Sequence, residues 1–169
     1  MAISCPLEAD LSKIAILVGT MTGTAELVAQ EVETTLSAAG HEVTVELMDA
    51  LDASVFTGDA IFLICTSTYG SGDAPDNAQA LLADLEASRP DLSNVTYGLI
   101  ALGDRTYKAT FCFGGLKFDS VLLELGATRL GEPLLHDAAA GTLPEDIAAA
   151  WSTEWIADDA ANASLLSPQ

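Results

Sequence analysis

The chain is poor in basic residues. Only 6 lysines and arginines stand against 25 aspartates and glutamates in 169 residues, which gives a formal net charge of −19 at pH 7 and a pI near 4.1. Nucleic acids and anionic membranes are polyanions, so this charge disfavours both as partners. The same field favours a basic protein partner. Acidity also serves solubility or a salt-rich cytoplasm, so both interpretations stay open on charge alone.

Long apolar runs are also missing. The longest, Ala60 to Cys65, is far too short to span a bilayer, so we expect no membrane insertion. No basic start precedes an apolar block, as it would in a secretory signal, and we expect a cytoplasmic protein. We predict a single domain over residues 13–159. Residues 1–12 are expected to form a lead-in, and residues 160–169 a frayed tail.

Cysteine and histidine are scarce as well. Cys5, Cys65 and Cys112 make no disulfide framework, and none has the spacing of metal ligands. Cys65 ends an apolar run and is expected to be a small buried residue. His41 and His136 are far apart in sequence, so we predict that both lie on the solvated surface. The sequence therefore predicts no metal site and no catalytic residue of these types.

Apolar segments alternate with amphipathic ones along the chain. Strands are predicted at about 13–18, 42–47, 60–65, 95–102 and 128–135, the last broken by Gly131 and Pro133. Helices are predicted at about 24–39, 75–88, 114–125 and 144–159, with Gly40 and Gly126 where helices commonly end. This alternation indicates an α/β fold, a doubly wound five-stranded parallel sheet in a three-layer sandwich. Ligands bind such sheets at the carboxyl ends of the strands that flank a switch point.

The first strand runs into the turn Gly19-Thr20-Met21-Thr22-Gly23-Thr24-Ala25-Glu26. Its hydroxyls and backbone N–H groups can converge on an anion at a helix N-terminus. No lysine or arginine lies between Lys13 and Arg89, which rules out a nucleotide-binding P-loop. A neutral, hydroxyl-rich turn suits one terminal phosphate, such as that of FMN. Taken alone, the turn is just as typical of an ordinary capped strand-to-helix connection.

Two later loops leave the same end of the predicted sheet. Thr66 to Asn77 follows the third strand, Gly103 to Cys112 follows the fourth, and each loop carries a tyrosine, Tyr69 or Tyr107, soon after its strand. Either tyrosine alone would be read as a surface aromatic residue. Two aromatic rings beside an anion-binding turn match a flat tricyclic ring that ends in a phosphate, and each stacking contact would add about 1 kcal/mol. The agreement of three loops in place and chemistry favours a flavin site.

These loops resemble the three FMN loops of flavodoxins. The resemblance rests on Thr20 to Glu26, on Ser67-Thr68-Tyr69-Gly70-Ser71-Gly72-Asp73 with Asp76-Asn77, and on Leu102-Gly103-Asp104-Arg105-Thr106-Tyr107. It covers about residues 13–157 and is nearest to the MioC flavodoxin and to the FMN domains of diflavin reductases of the sulfite reductase flavoprotein type. It implies the strand order 2-1-3-4-5 and FMN as cofactor. Thr128 to Pro144 leaves no room for the large insertion of long-chain flavodoxins, so the chain resembles the short-chain type.

The resemblance also implies roles for individual residues. Thr20 to Ala25 would hold the phosphate, Tyr69 and Tyr107 would enclose the isoalloxazine ring, and the Gly70 peptide would turn to accept a hydrogen bond from the flavin N5–H. The implied cofactor-binding residues are Thr20, Met21, Thr22, Gly23, Thr24, Ala25, Ser67, Thr68, Tyr69, Gly70, Gly72, Asp73, Leu102, Gly103, Asp104, Tyr107, Phe111 and Cys112. For Cys112 a packing role is the competing interpretation.

Two departures from the family pattern bear on binding. Many flavodoxins have threonine where this chain has Ala25, which removes one phosphate donor, although Ala25 agrees with the diflavin and MioC pattern. Ala138-Ala139-Ala140 stands where diflavin reductases carry acidic residues, which bears on partner docking.

The function implied is transfer of single electrons at low potential. FMN would accept electrons from a basic NADPH-dependent flavodoxin or ferredoxin reductase and pass them to an acceptor enzyme. The likeness to MioC suggests a radical or iron–sulfur enzyme such as biotin synthase as that acceptor. The alternative is a flavin-dependent quinone or small-molecule reductase, which needs a substrate pocket, and no long insertion supplies one. A receiver domain needs acidic residues where this chain has Gly19-Thr20 and Cys65-Thr66, so it is nearly excluded.

Overall fold

The computed structural model describes residues 13–20, 23–57, 60–68, 75–103, 112–137 and 140–166. Its strands are β1 Lys13–Gly19, β2 Glu42–Leu47, β3 Ile61–Thr66, β4 Thr96–Gly103, β5 Thr128–Arg129 and β6 Leu134–Asp137. Its helices are α1 Thr24–Ala38, α2 Asp76–Ser88, α3 Phe113–Glu124 and α4 Pro144–Leu166. Two 3₁₀ turns, Met48–Ala50 and Ala53–Thr57, lie between β2 and β3. Most of these bounds fall within a few residues of the predicted ones.

The strands form one parallel sheet. Their order is β2-β1-β3-β4-β5, and β6 pairs with β4 after β5, which confirms the predicted topology. Gly19 pairs with Thr66 and Thr66 with Ala101, so β1, β3 and β4 end side by side. Because α1, α2, α3 and α4 each follow a strand of this parallel sheet, their N-termini lie at this same end. We call it the carboxyl end and the opposite one the amino end.

The core has two layers, one on each face of the sheet. Side chains alternate along the strands, so Leu17 of β1 packs with α2 and α3, whereas Ile16 and Val18 pack with α1 and α4. Both faces of β1, β3 and β4 are buried, as their continuous apolar runs predict. Each fully buried aliphatic side chain contributes about 1.5 to 3 kcal/mol to folding. The predicted three-layer sandwich is confirmed.

The fifth strand is split in two. Arg129 pairs with Tyr97 and Leu134 pairs with Ile100, so the chain advances from 129 to 134 while β4 advances only from 97 to 100. The two additional residues make a bulge that contains Gly131, a left-handed residue with φ of +70°, and ends at Pro133. The interruption predicted from this glycine and proline is confirmed.

A polar cluster is buried near the amino end of the sheet. The Tyr97 hydroxyl on β4 donates to Asp119 Oδ1 on α3, and Arg129 Nη1 on β5 donates to Asp119 Oδ2 (2.7 Å). Tyr97 is fully buried and Asp119 is 9% exposed, and the two hydrogen bonds satisfy both oxygens of this buried carboxyl group. The cluster joins three elements through one carboxylate.

The last helix is longer than predicted. It continues from Pro144 through Leu166, beyond the expected end near Asp159. Its later part holds Ala157, Ala160, Ala161 and Ala163, and alanine has the highest helix propensity of all residues. In the part of the chain that the structure describes, no helix combines the length and the apolar character needed to cross a membrane.

Candidate functional site

The structure brings the starts of the three predicted loops together. The loops leave β1, β3 and β4, which are neighbours in the sheet. The structure describes Thr20, Gly23, Thr24, Ala25, Ser67, Thr68, Leu102, Gly103 and Cys112 among the predicted cofactor-binding residues. The others lie outside the described residues, namely Met21, Thr22, Tyr69, Gly70, Gly72, Asp73, Asp104, Tyr107 and Phe111. The described part of the site therefore consists of the strand ends and helix starts from which the three loops extend.

The first turn is built around Thr20 and Gly23. Gly23 precedes α1 in a left-handed conformation (φ +93°), which glycine adopts at low cost. Its N–H donates to Thr20 Oγ1 (2.9 Å), and its carbonyl accepts from the N–H of Leu27 (3.0 Å). The Thr20 hydroxyl thus accepts one hydrogen bond and can direct its own proton to an anion. Among the residues that the structure describes, none has an atom within 4 Å of a Cβ built on Gly23, so this part of the turn leaves open space.

Ala25 contributes to this turn only through its backbone. Its side chain is fully buried, whereas Thr24 beside it is exposed. The Ala25 carbonyl accepts from the thiol of Cys65 on β3 (3.4 Å). Burial raises the pKa of the Cys65 thiol to about 12, so this residue is the small buried one that the sequence predicts. The exposed hydroxyl that α1 offers in its first turn is that of Thr24.

The second loop is tied to both neighbouring loops. The Ser67 N–H donates to the Gly19 carbonyl at the end of β1 (3.1 Å). On the other side, Thr68 Oγ1 accepts from the N–H of Gly114 in the first turn of α3 (3.1 Å). Thr68 therefore caps α3 from the second loop, because Cys112, which precedes the helix, makes no side-chain cap.

Gly103 and Cys112 bring the two ends of the third loop together. A Cβ on Gly103 would lie 2.6 Å from the Cys112 nitrogen and 3.1 Å from its sulfur, so only glycine fits at the end of β4. Cys112 is fully buried with a left-handed backbone (φ +58°), and its thiol donates to the Ala101 carbonyl (3.4 Å). The thiol faces the sheet, which favours the packing role.

Asn77 is a residue of this region to which the sequence assigned no role. It lies in the first turn of α2, and its amide contacts the start of the first turn and the connector after β2. Its Oδ1 accepts from the Thr20 N–H (2.8 Å), and its Nδ2 donates to the Val18 carbonyl (3.3 Å) and to Asp49 Oδ1 (3.2 Å). The Thr20 N–H is thereby used within the protein. The available signal was the Asp76-Asn77 pair that closes the second motif.

His136 is buried, so its predicted place on the surface is wrong. It lies on β6 beside Leu102 and is 6% exposed. Its Nε2 lies 3.0 Å from Thr142 Oγ1, which gives this nitrogen of the buried ring a hydrogen-bond partner. The sequence could not show this contact because Thr142 belongs to the connection before α4.

Acidic side chains collect at the carboxyl end of the sheet. They lie in the first turns of α1, α2 and α4 and at the ends of β2 and β6, and they are Glu26, Asp49, Asp76, Asp137, Glu145 and Asp146. Within the described residues, Lys13, Arg89 and Arg129 lie at the amino end, and Lys117 lies on α3. Carboxylates also stabilise helix N-termini, which accounts for part of this arrangement. The described carboxyl end nevertheless presents a negative field to any approaching molecule.

Large apolar side chains are exposed at the same end. Leu27 lies in the first turn of α1, Phe113 is the first residue of α3 and Leu143 directly precedes α4, with exposed fractions of 58%, 43% and 58%. Leu47, at the end of β2, is 41% exposed, and Ile147 in the first turns of α4 is 38% exposed. Exposed apolar groups rimmed by charge are typical of a surface that meets another protein.

Comparison with known proteins agrees with this geometry. The family model described as Flavodoxin matches residues 16–151. The chain belongs to the flavodoxin family. Flavodoxin YqcA from Escherichia coli K12 is 42% identical over 149 residues, 86% of this chain and 97% of that protein. Protein MioC from the same organism is 34% identical over 146 residues, again 86% and 97% of the two chains.

Two further relatives bear on the fold and on the predicted resemblance. The sulfite reductase [NADPH] flavoprotein alpha-component of Vibrio parahaemolyticus is 42% identical over 123 residues, which are 71% of this flavodoxin but 19% of that protein. The structure of a cysteine-to-alanine mutant of flavodoxin from Pseudomonas aeruginosa superposes with a TM-score of 0.78 at 37% identity, covering 86% of this chain and 97% of that one. The predicted likeness to short flavodoxins, MioC and diflavin FMN domains is confirmed.

FMN is the cofactor of flavodoxins, which carry electrons, and the described residues fit its phosphate. The turn after β1 offers the Thr20 and Thr24 hydroxyls, a left-handed Gly23 with open space above it, and the N-terminus of α1. These are neutral donors at the positive end of a helix dipole, which suits a single terminal phosphate. The neighbouring strand ends hold Ser67, Thr68 and Gly103 at the same end of the sheet.

Proposed function

We propose that this flavodoxin carries single electrons from a basic NADPH-dependent reductase to an acceptor enzyme in the cytoplasm. The observation that carries the proposal is the carboxyl end of the sheet, where carboxylates surround exposed apolar side chains. Such a surface attracts a basic partner at long range and offers apolar area for close contact. FMN, when bound, supplies the one-electron chemistry, and the protein supplies binding, orientation and electrostatics.

The residues that would hold FMN follow from the site and the family resemblance. Thr20, Thr24 and the N-terminus of α1 would bind the phosphate as neutral donors. Ser67 and Thr68, at the start of the second loop, would line the FMN site beside this turn. The family resemblance implies that Tyr69 and Tyr107 would enclose the isoalloxazine ring. It also implies that the Gly70 carbonyl would accept a hydrogen bond from the flavin N5–H.

The charge of the chain also sets the expected direction of the redox potential. With a formal net charge of −19 and carboxylates at the site, added negative charge on the cofactor is disfavoured. We therefore expect a low potential, which suits delivery of electrons to a demanding acceptor. A radical or iron–sulfur enzyme, such as biotin synthase, is the acceptor class that we propose from the resemblance to MioC.

The test is reduction of the FMN-loaded protein by NADPH with and without a basic flavodoxin or ferredoxin reductase. We expect reduction only with the reductase, in two separate one-electron stages. The rate at limiting reductase should fall as ionic strength rises. Neutralising Glu145 and Asp146 together (Glu145→Gln and Asp146→Asn) should slow reduction about threefold or more at low salt.

A matched control removes two charges from the other end of the molecule. Glu86→Gln with Glu124→Gln changes the net charge equally, but both residues lie in the last turns of α2 and α3, near the amino end. This variant should stay within about twofold of the parent protein. Equal effects of the two pairs would refute docking at the carboxyl end. Steady NADPH oxidation without any reductase would favour the alternative, a reductase with its own substrate.

A further inference from the structure

The amide of Asn77 spans the residue at which β1 ends. Its oxygen accepts from the Thr20 N–H (2.8 Å) and its nitrogen donates to the Val18 carbonyl (3.3 Å), one residue on either side of Gly19. Asn77 is separated from these partners by 57 and 59 residues in sequence. The start of the first turn is therefore held from α2, the helix that follows the second loop.

Close packing around Gly19 leaves this junction little freedom. A Cβ on Gly19 would lie 2.7 Å from Thr66 Oγ1 and 3.0 Å from the Cβ of Ala78, the residue after Asn77. The Gly19 carbonyl is already bonded to the Ser67 N–H (3.1 Å). The peptide groups on both sides of Gly19 are thus fixed. Asn77 holds the Val18 carbonyl and the Thr20 N–H, and Ser67 holds the Gly19 carbonyl.

The position of Thr20 decides the geometry of the turn beyond it. Thr20 Oγ1 accepts from the Gly23 N–H (2.9 Å), and Gly23 precedes the first turn of α1. A change in the Thr20 backbone would therefore move both the hydroxyl and the helix N-terminus that face the phosphate. Hydrogen bonds run in series from Asn77 to Thr20 and from Thr20 to Gly23.

We propose that Asn77 is a positioning residue that presets the phosphate-binding turn and couples it to the second loop. This rests on the proposed placement of the FMN phosphate at Thr20 to Ala25. The position needs one acceptor for the Thr20 N–H and donors for Val18 and Asp49, and asparagine provides both. Aspartate has the same shape, but it would face the Val18 carbonyl and the Asp49 carboxylate without a proton to donate.

The experiment compares the dissociation constants of FMN and riboflavin, which share the ring and differ in the phosphate. For Asn77→Ala we expect FMN to bind about tenfold or more weakly, because the partly buried Thr20 N–H and Val18 carbonyl lose their partner and the turn relaxes. Riboflavin should change by no more than about twofold. The FMN-to-riboflavin ratio therefore reports on the turn and not on general stability.

The matched control is Asp84→Ala on the same helix. Asp84 Oδ2 accepts from the Ala53 N–H (2.7 Å), so it too tethers α2 to a distant segment, but one remote from the first turn. This variant should lose thermal stability and keep the FMN-to-riboflavin ratio of the parent protein. An equal fall of both affinities in Asn77→Ala, or no fall, would overturn the proposal and leave Asn77 a purely structural residue.

A charge exchange provides a second test if Asn77→Ala folds poorly. Asn77→Asp alone should weaken FMN at least as much as the alanine variant does. Asn77→Asp combined with Asp49→Asn keeps the net charge and restores a donor–acceptor pair between the two positions, so it should recover part of the FMN affinity. No recovery would contradict the proposed role of the Asn77–Asp49 contact. Absence of flavin binding by the parent protein would instead refute the proposed function.

Discussion

The indole of Trp155 occupies the space that a side chain at Gly98 would need. A Cβ on Gly98 would overlap the indole Nε1 of Trp155. The indole N–H donates to the Leu130 carbonyl (3.1 Å). Leu130 directly follows β5: its N–H still donates to the Tyr97 carbonyl of β4 (2.7 Å), and the bulge that leads to β6 begins after it. One tryptophan of α4 thus fills a groove over β4 and satisfies a carbonyl that the sheet leaves without a strand partner.

Gly98→Ala is expected to destabilise the protein by about 1 to 3 kcal/mol, because the added methyl group overlaps the indole. Urea unfolding followed by circular dichroism measures the change in free energy of unfolding. In the Trp155→Leu background the same substitution should cost clearly less, since the overlapping ring is gone. Equal costs in the two backgrounds would contradict the predicted contact.

Tyr97→Phe is expected to cost about 1 to 2 kcal/mol at neutral pH, because Asp119 loses a donor in a buried place. Burial, followed by the hydrogen bond and the charge of Asp119, raises the pKa of Tyr97 above its ordinary value of 10.0. The unfolded chain therefore loses this proton at a lower pH than the folded one. The stability that Tyr97 contributes is full below pH 10 and declines as the pH rises beyond it.

Urea midpoints of both proteins between about pH 7 and pH 11 test the Tyr97 prediction. The gap between the parent protein and Tyr97→Phe should be constant to about pH 9 and then narrow. Other titrating groups are common to both proteins and cancel in the difference. A gap that stays constant to pH 11 would show that Tyr97 does not titrate differently in the two states.

Arg89→Gly is expected to be more stable than Arg89→Ala by about 1 kcal/mol. Arg89 ends α2 in a left-handed conformation (φ +46°), in which any Cβ is strained and glycine is not. Its contact with Glu124 is long (3.9 Å) and both side chains are more than half exposed, so little is lost with the ion pair. Thermal and urea unfolding of the two variants give the comparison, and alanine equal to or better than glycine would refute it.

The two described thiols should be inert in the folded protein. Cys65 and Cys112 are fully buried, and burial raises the pKa of Cys65 to about 12, so the reactive thiolate is suppressed. In a Cys5→Ser variant at pH 8, a thiol reagent should label neither cysteine in buffer and both in urea. Rapid labelling of one thiol in buffer would contradict the burial.

The sequence predicts those features that are encoded locally. Buried strands show as continuous apolar runs such as Ile14 to Val18, and the split of the fifth strand shows in Gly131 and Pro133. The three loops can be predicted from the sequence because each directly follows a strand and its polar and aromatic residues are close together in the chain.

Contacts between distant segments were not predictable in this way. The bond from Thr20 to Asn77 and the pairing of His136 with Thr142 depend on which elements the fold brings together. A single sequence shows the polar residue but not its partner. The end of α4 was missed for a different reason: alanine-rich segments carry no apolar periodicity, and helix propensity alone extends the helix.

The bulge between β5 and β6 is a position at which the sheet can tolerate an insertion. The Leu130 N–H still donates to the Tyr97 carbonyl of β4 (2.7 Å), and the backbone leaves the ladder only after Leu130, whose carbonyl accepts from the Trp155 indole N–H. Added residues there would break no strand pair, and each doubling of a loop costs only about 0.6 kcal/mol in closure entropy. A longer segment between β5 and β6 would therefore leave both strands paired with β4 as they are now.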